Sequence, residues 1–200
     1  MTRSWFARRN GIKVKLISEA ELNIKNIAYI GIGSNVGVQI NKIDYAIELV
    51  DSNSYCEVES VSSIYESSPY GDIIQGEFFN AVFKIKTHFE LKELFKFLKL
   101  VEQQVGRKVT TKWGPREIDL DILFFNDMVF SDEEITIPHK DLLNRDFVLV
   151  PLSEIAPELI HPLMNKKISE IIIFQSRLNE SLDEQYKSYI LRKIPHRVLI

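Results

Sequence analysis

Asp119 and Asp121 stand two residues apart in WGPREIDLDILFF (113–125), a stretch that runs straight into Ile-Leu-Phe-Phe. In a strand, alternate side chains share a face, so both carboxylates point one way while Ile118, Leu120 and Ile122 point the other. Their Cα atoms would lie about 6.6 Å apart, close enough for the side chains to converge on a cation. Without one, two half-buried carboxylates would repel each other and lose hydration. Magnesium suits the pair, being hard, oxygen-ligated and commonly held by one or two carboxylates plus substrate phosphates. Salt bridges to neighbouring lysines are the plainer reading of the same residues.

Cations crowd the same region. Arg116 follows Gly114 by two residues, and Arg107, Lys108, Lys112, His139 and Arg145 lie near the same strand or in the following loops. Phosphate recognition needs such groups opposite metal-bound oxygens. Each alone reads as a surface charge; the set beside Asp-x-Asp reads as a phosphate site. A second candidate is GEFFNAVF (76–83), where Phe78 and Asn80 on one face could stack on and hydrogen-bond a flat heterocycle. It also echoes the aromatic strand of RNA-recognition modules, and the aromatics could equally be core. GIGSNVG (31–37) is one residue too long for a dinucleotide fingerprint and lacks a clean ribose-binding acid downstream. A tight strand-to-helix turn, with Ser34 or Asn35 bonding locally, accounts for it better. There is no P-loop or Gly-x-Ser-x-Gly elbow, and His88, His139, His161, His196 and Cys56 show no zinc spacing.

The elements that must position these groups follow from periodicity. IAYIGIG (27–33) reads as a buried strand, and Ile40, Ile43, Ala46, Ile47 and Val50 give an amphipathic helix. Residues 55–67 alternate as a second strand and 67–77 form a loop. In a third strand, 78–87, Phe79, Ala81, Phe83 and Ile85 share a face opposite Phe78, Asn80 and Val82. Leu91, Leu94, Phe95, Leu98 and Val101 mark the strongest helix, and 116–125 is a fourth strand ending in an Asn-Asp turn. Strand-helix-strand-strand-helix-strand is the split βαβ order of ferredoxin-like folds, an α+β class with a mainly antiparallel sheet. The apolar stretch 168–174 could cover part of the other face. The expected units are an extension at 1–25, a domain over 26–176, and a charged tail or linker at 177–200.

Composition sets outer bounds. The 200 residues are 45% hydrophobic and 26% charged, with net charge −3, ordinary for one soluble domain. A negative balance argues against broad nucleic-acid binding. The single cysteine, Cys56, excludes an internal disulfide and fits a reducing compartment. No apolar run reaches the length of a membrane span. Arg3, Arg8, Arg9, Lys13 and Lys15, without an acid in the first 18 residues, read as a transit-like segment or a plain extension. The cytoplasm is the expected location.

WGPREIDLDI closely resembles the signature of the 6-hydroxymethyl-7,8-dihydropterin pyrophosphokinase family of folate biosynthesis. YIGIGSNVG, SSIYESSPYG, QGEFFNAV, VEQQVGR, TIPH and NRDFVLVPLSEIAPELIHP agree with it in order, so the likeness covers about 27–163. It implies a ferredoxin-like αβα fold, three layers deep, and transfer of pyrophosphate from ATP to the pterin's hydroxymethyl group, leaving AMP. By resemblance, Asp119 and Asp121 hold two magnesium ions, with Asp119 also near the substrate hydroxyl, and Arg107 and Arg116 join them in catalysis. Arg107, Arg116, His139 and Arg145 match nucleotide contacts. Glu102, Ile122, Thr136 and Lys140 match positions at the ATP site. Phe78 and Phe147 match the aromatics that sandwich the pterin, Asn80 the residue reading its edge, and Ser67, Ser68 and Tyr70 the loop facing it. Trp113 matches a loop tryptophan that closes over both substrates. Departures are Ser68 for a common proline, Phe78 for a common tyrosine, Lys140 for a frequent aromatic, and a 107–113 loop one residue short with no second arginine after Arg107. Family chains are sometimes fused to neighbouring folate enzymes. The rival reading is a ferredoxin-like RNA-binding module, in which Asp119 and Asp121 would repel phosphates.

Overall fold

A computed structural model of the chain describes residues 26–69, 75–108, 114–181 and 188–194. The first apolar run forms strand β1 (Asn26–Ser34), and the amphipathic segment after it forms helix α1 (Gln39–Asp51), which buries Ile43, Ala46, Ile47 and Val50. Next come β2 (Cys56–Val61), β3 (Ile64–Ser67) and β4 (Phe78–Thr87). Helix α2 (Leu91–Val105) opens with a capping box between Glu90 and Glu93, which satisfies backbone N–H groups at its start. It stops at Gly106, whose φ of 102° favours glycine. Strand β5 (Asp119–Phe125) carries the paired aspartates.

Short elements follow: β6 (Phe130–Ser131) paired with β7 (Thr136–Ile137), a 3-10 turn at Leu142–Asn144, and helix α3 (Asp146–Ile155). Beyond α3, β8 (Ile160–His161) pairs with β9 (Lys166–Lys167) and leads into helix α4 (Ile168–Ser181). The last described strand is β10 (Ile190–Ile194).

The main sheet runs β10-β3-β4-β1-β5, with β2 also on β4, and every pairing is antiparallel. With its helices this makes the chain α+β. One core cluster joins the sheet to α1 and α2 through residues such as Ile30, Ile47, Phe83, Leu98 and Leu120. A second joins Val82, Leu123 and Phe124 of the sheet to Leu149 and Leu152 of α3 and to Ile168 and Ile171 of α4. Register shifts in the β1–β5 ladder: Ile30 faces Ile122 but Tyr29 faces Phe124, leaving Leu123 as an extra residue. This bulge turns Leu123 and Phe124 both toward the second core. Asp119 and Asp121 share the parity of Leu123, so they open on the α3 side of the sheet.

Two expectations need correcting. The strand read over 55–67 is two strands on one long partner, broken where Ser62 Oγ accepts from Val82 N at 2.9 Å. The reading of 177–200 as a tail misses β10, which adds an edge strand to β3 through Ile190↔Ser67 and Ile194↔Ile64; α4 also runs past 176. The sequence of β10, ILRKI, sets two adjacent basic residues inside the strand instead of an apolar alternation, as an exposed edge strand tolerates, so periodicity did not reveal it. The 1–25 extension lies outside the described residues.

Glu154 of α3 ties this edge together, accepting from Ser63 N (3.2 Å), Ser63 Oγ (2.8 Å), Tyr65 Oη (2.9 Å) and Lys193 Nζ (3.2 Å). Burial opposes its ionisation, but the bonds from Ser63, Tyr65 and Lys193 outweigh it and hold the carboxyl below its usual range. A depressed carboxylate adds stability above its unfolded pKa and loses it as pH falls through the folded value. Acidification from about pH 6 to pH 3 should therefore lower the wild-type melting temperature more than that of Glu154→Gln. Parallel melting curves would assign Glu154 no such role.

Candidate active site

Asp119 is the best-supported side chain of the site. Its Oδ1 accepts from Arg107 Nη1 at 2.6 Å, and its Oδ2 pairs with Arg116 Nη1. Burial works against its charge, yet Arg116, Arg107 and Lys99 together keep the carboxyl ionised below its usual range. Glu102 stands behind this pair. It is 2% exposed, and it binds Lys99 Nζ (2.6 Å), Leu120 N (2.8 Å) and Arg107 Nη1 (2.5 Å). It thereby fixes α2 to β5 and aims Arg107 at Asp119. Desolvation raises the Glu102 pKa, with Lys99 as the main opposing influence.

In GIGSNVG the expected strand-to-helix turn falls at the end, where Gly37 takes φ 76° in the bend before α1, but the first two glycines behave differently. Gly31 and Gly33 lie within β1, where their cross-strand partners on β5 are Asp121 and Asp119. A Cβ at Gly33 would sit 2.8 Å from Asn80 Oδ1, and one at Gly31 would sit 3.2 Å from Leu123 Cδ2. The missing side chains make the floor beside the aspartates. Ser34 and Asn35 do not bond locally either: Ser34 Oγ donates to Glu117 O (2.6 Å), and Asn35 Oδ1 accepts from Arg116 N (2.8 Å). Asn35 Nδ2 also donates to Gln75 Oε1 at 3.1 Å. Asn35 thus clamps the residue that holds Asp119, a role no local pattern in the sequence signals.

Two clefts meet at β5. The first spans about 770 Å³, counting space open to solvent. It gathers Ser67, Ser68, Phe78, Asn80, Arg116, Asp119, Asp121, Arg145 and Phe147 from the residues expected of the site, and adds Gln75, Gly31 and Gly33. The second, about 580 Å³, gathers Ile122, Thr136, His139 and Lys140, with Phe95 and the acidic run Asp132–Glu134. Asp121 lines both.

At that junction Asp121 Oδ2 lies 3.9 Å from His139 Nε2 and 4.0 Å from Arg145 Nη1. Arg145 is itself fixed by Asp141 Oδ2 at 3.0 Å. His139 Nδ1 accepts from Asp141 N at 3.3 Å, which directs Nε2 toward Asp121. Burial lowers the His139 pKa, although Asp121 pulls the other way. Asn80 Nδ2 donates to Ser67 Oγ at 2.8 Å, joining two walls of the first cleft. Glu102 and Arg107 line neither cleft and act on it through Asp119. Trp113 and Tyr70 lie outside the described residues.

The model of the family described as 7,8-dihydro-6-hydroxymethylpterin-pyrophosphokinase matches residues 29–157. A 2-amino-4-hydroxy-6-hydroxymethyldihydropteridine pyrophosphokinase from Aquifex aeolicus is 46% identical over 142 residues, covering 71% of this chain and 88% of that protein. The bifunctional protein FolKE of Lactococcus lactis is 35% identical over 159 residues, 78% of this chain but 46% of its own length. The crystal structure of wild-type Plasmodium falciparum HPPK-DHPS superposes with a TM-score of 0.62 at 18% identity, covering 81% of this chain and 47% of that one. This chain therefore spans less than half of those two longer proteins. It belongs to the 7,8-dihydro-6-hydroxymethylpterin pyrophosphokinase family.

Proposed function

We propose that the chain transfers the terminal diphosphate of ATP to the hydroxymethyl group of 6-hydroxymethyl-7,8-dihydropterin, releasing AMP, as a step of folate synthesis. One observation carries the reading beyond family membership: Asp121 lines both clefts. The flat pterin fits the cleft with Phe78, Phe147 and Asn80. The nucleotide fits the cleft with Ile122, Thr136 and His139. Asp132–Glu134 would repel phosphates there, so base and sugar belong at that end and the triphosphate at Asp121, His139 and Arg145. The substrates' reacting ends then meet over Asp119 and Asp121. We read the fold as a ferredoxin-like βαββαβ core in three αβα layers; the strand order β3-β4-β1-β5 and the two core clusters support this.

The donor set fits magnesium. Asp119 and Asp121 are hard oxygen donors on one strand face, and the described residues hold no cluster of three or more His, Cys, Asp or Glu suited to a metal. Two carboxylates without a protein cage is the arrangement magnesium takes when substrate phosphates and water complete its shell. Two ions, held by Asp119 and Asp121, are the expected count. When bound they would offset phosphoryl charge and align the displacement. Asp119, kept ionised by Arg116 and Arg107, is suited to be a metal ligand. A polyphosphate offers both arginines a competing anion, and their forked donors match its oxygens. The hydroxyl oxygen bonds to the β-phosphorus as that atom's bond toward the α-phosphate breaks, and the hydroxyl proton is released.

An RNA-binding module finds no support in the relatives. The face carrying Phe78 and Asn80 also packs Val82 against α3 and α4, which leaves no open sheet platform for bases. Among the described residues no helix is long and apolar enough to cross a membrane, and the free thiol of Cys56 suits a cytoplasmic setting. The bifunctional and HPPK-DHPS relatives support fusion or association with neighbouring folate enzymes.

AMP release from ATP tests the proposal. It should require both magnesium and the hydroxymethyl-dihydropterin, and ATP turnover indifferent to the pterin would refute it. Phe147→Ala should weaken pterin binding by about 1–3 kcal/mol, the scale for stacking a flat base on an aromatic, with much less effect on an ATP analogue. Calorimetric titration of each ligand checks this, and equal losses would make Phe147 a structural residue.

A further inference from the structure

Residues 188–194 lie beyond the segment matched by the family model, which ends at 157, yet they brace two walls of the first cleft. Tyr189 O accepts from Ser68 N at 2.8 Å and from Ser68 Oγ at 3.5 Å. The Tyr189 ring meets the Phe147 ring edge-on, with centroids 6.1 Å apart and an interplanar angle of 87°. Asp146, at the start of α3, completes the link. Its Oδ2 accepts from Ser188 Oγ (2.8 Å), Tyr189 N (2.8 Å) and Ile190 N (3.3 Å), while its Oδ1 accepts from Phe147 N at 2.7 Å. Strand pairing then locks the segment in register, with Ile190 opposite Ser67 and Ser67 opposite Phe78. The Arg192–Glu66 and Lys193–Glu154 pairs secure the rest of the strand.

We propose that Tyr189 is a positioning residue for the pterin, setting the orientation of Phe147 and the place of Ser68 from behind. The proposal rests on the functional reading above. Ser68 and Phe147 come from different elements, β3's end and α3's start, and both line the cleft. Tyr189 contacts both, one through its carbonyl and the other through its ring. An edge-to-face partner restricts how an aromatic ring can turn, so Phe147 is held in one pose against the cleft. Neither Tyr189 nor Asp146 lines the second cleft. Their loss should therefore fall on the pterin and spare the nucleotide.

The test uses the full chain with Tyr189→Ala, Tyr189→Phe and Asp146→Ala. Affinity is measured for 6-hydroxymethyl-7,8-dihydropterin in the presence of magnesium and a non-hydrolysable ATP analogue, and for the analogue alone. Tyr189→Ala should weaken pterin binding by roughly tenfold, the upper scale of an aromatic pair, with analogue affinity within about twofold. Tyr189→Phe, which keeps the ring, should restore the wild-type value. Asp146→Ala, which removes the acceptor for Ser188 Oγ, Tyr189 N and Ile190 N but keeps the Tyr189 ring, should reproduce the pterin-selective loss. Unchanged pterin affinity in both alanine variants overturns the proposal. So does a parallel loss of both ligands with a falling melting temperature. A wild-type chain that fails to bind the pterin at all would instead refute the functional reading itself.

Discussion

Asp121→Ala should lower turnover by about 10²-fold or more, the scale for losing one electrostatic stabiliser of a transition state, while the melting temperature stays near that of the wild type. Its side chain is 35% exposed, and the ring nitrogen of His139 and the guanidinium of Arg145 are 3.9 and 4.0 Å away, so little folding stability depends on it. Asp119→Ala should lose at least as much activity but also destabilise the fold. From the sequence, removing either aspartate would relieve a repulsion. The structure changes that expectation for Asp119, which neutralises Arg107 and Arg116 on a mostly buried strand. Leaving both guanidinium groups without that carboxylate costs on the order of 1–3 kcal/mol. Steady-state rates at saturating magnesium and thermal melts on both variants separate the two effects. Near-normal magnesium-dependent turnover in both would remove the metal assignment.

Arg116→Ala should cost roughly 10²–10³-fold in kcat, and Arg116→Lys should recover only part of it. Its backbone N–H is clamped by Asn35 and its guanidinium sits on Asp119, so on the proposed function the donor is held beside the place where phosphate charge would develop. Lysine keeps the charge but lacks the planar fork that grips two oxygens. Rapid-quench measurement of AMP formation reads the chemical step directly. A kcat for Arg116→Ala within a few-fold of wild type would leave Arg116 with only its bond to Asp119.

Much of the candidate site was legible because its residues sit on regular elements. Period-two spacing put Asp119 and Asp121 on one face, and put Phe78 and Asn80 opposite Phe79 and Ala81. The heptad-like apolar rows of α1 and α2 gave both helices within a residue or so. What escaped depends on pairing between distant strands. Gly31 and Gly33 share the period of the Asp-x-Asp pair because they lie directly across from it, but register is a tertiary fact. Asn35, Gln75 and Asp146 act through bonds spanning 40 residues or more. Strand β10 carries Arg192 and Lys193 rather than an apolar alternation, since its outer edge faces solvent.

The fate of labelled phosphate tests the central claim most directly. ATP labelled at the β-phosphorus is incubated with enzyme, magnesium and hydroxymethyl-dihydropterin, and the products are separated. If the reacting ends meet over Asp119 and Asp121, the β label must appear in the pterin diphosphate, with an α label in AMP. A β label recovered in ADP would mean that only the terminal phosphoryl group moves. A β label in free pyrophosphate would mean that water rather than the pterin attacks. Either result would contradict the account.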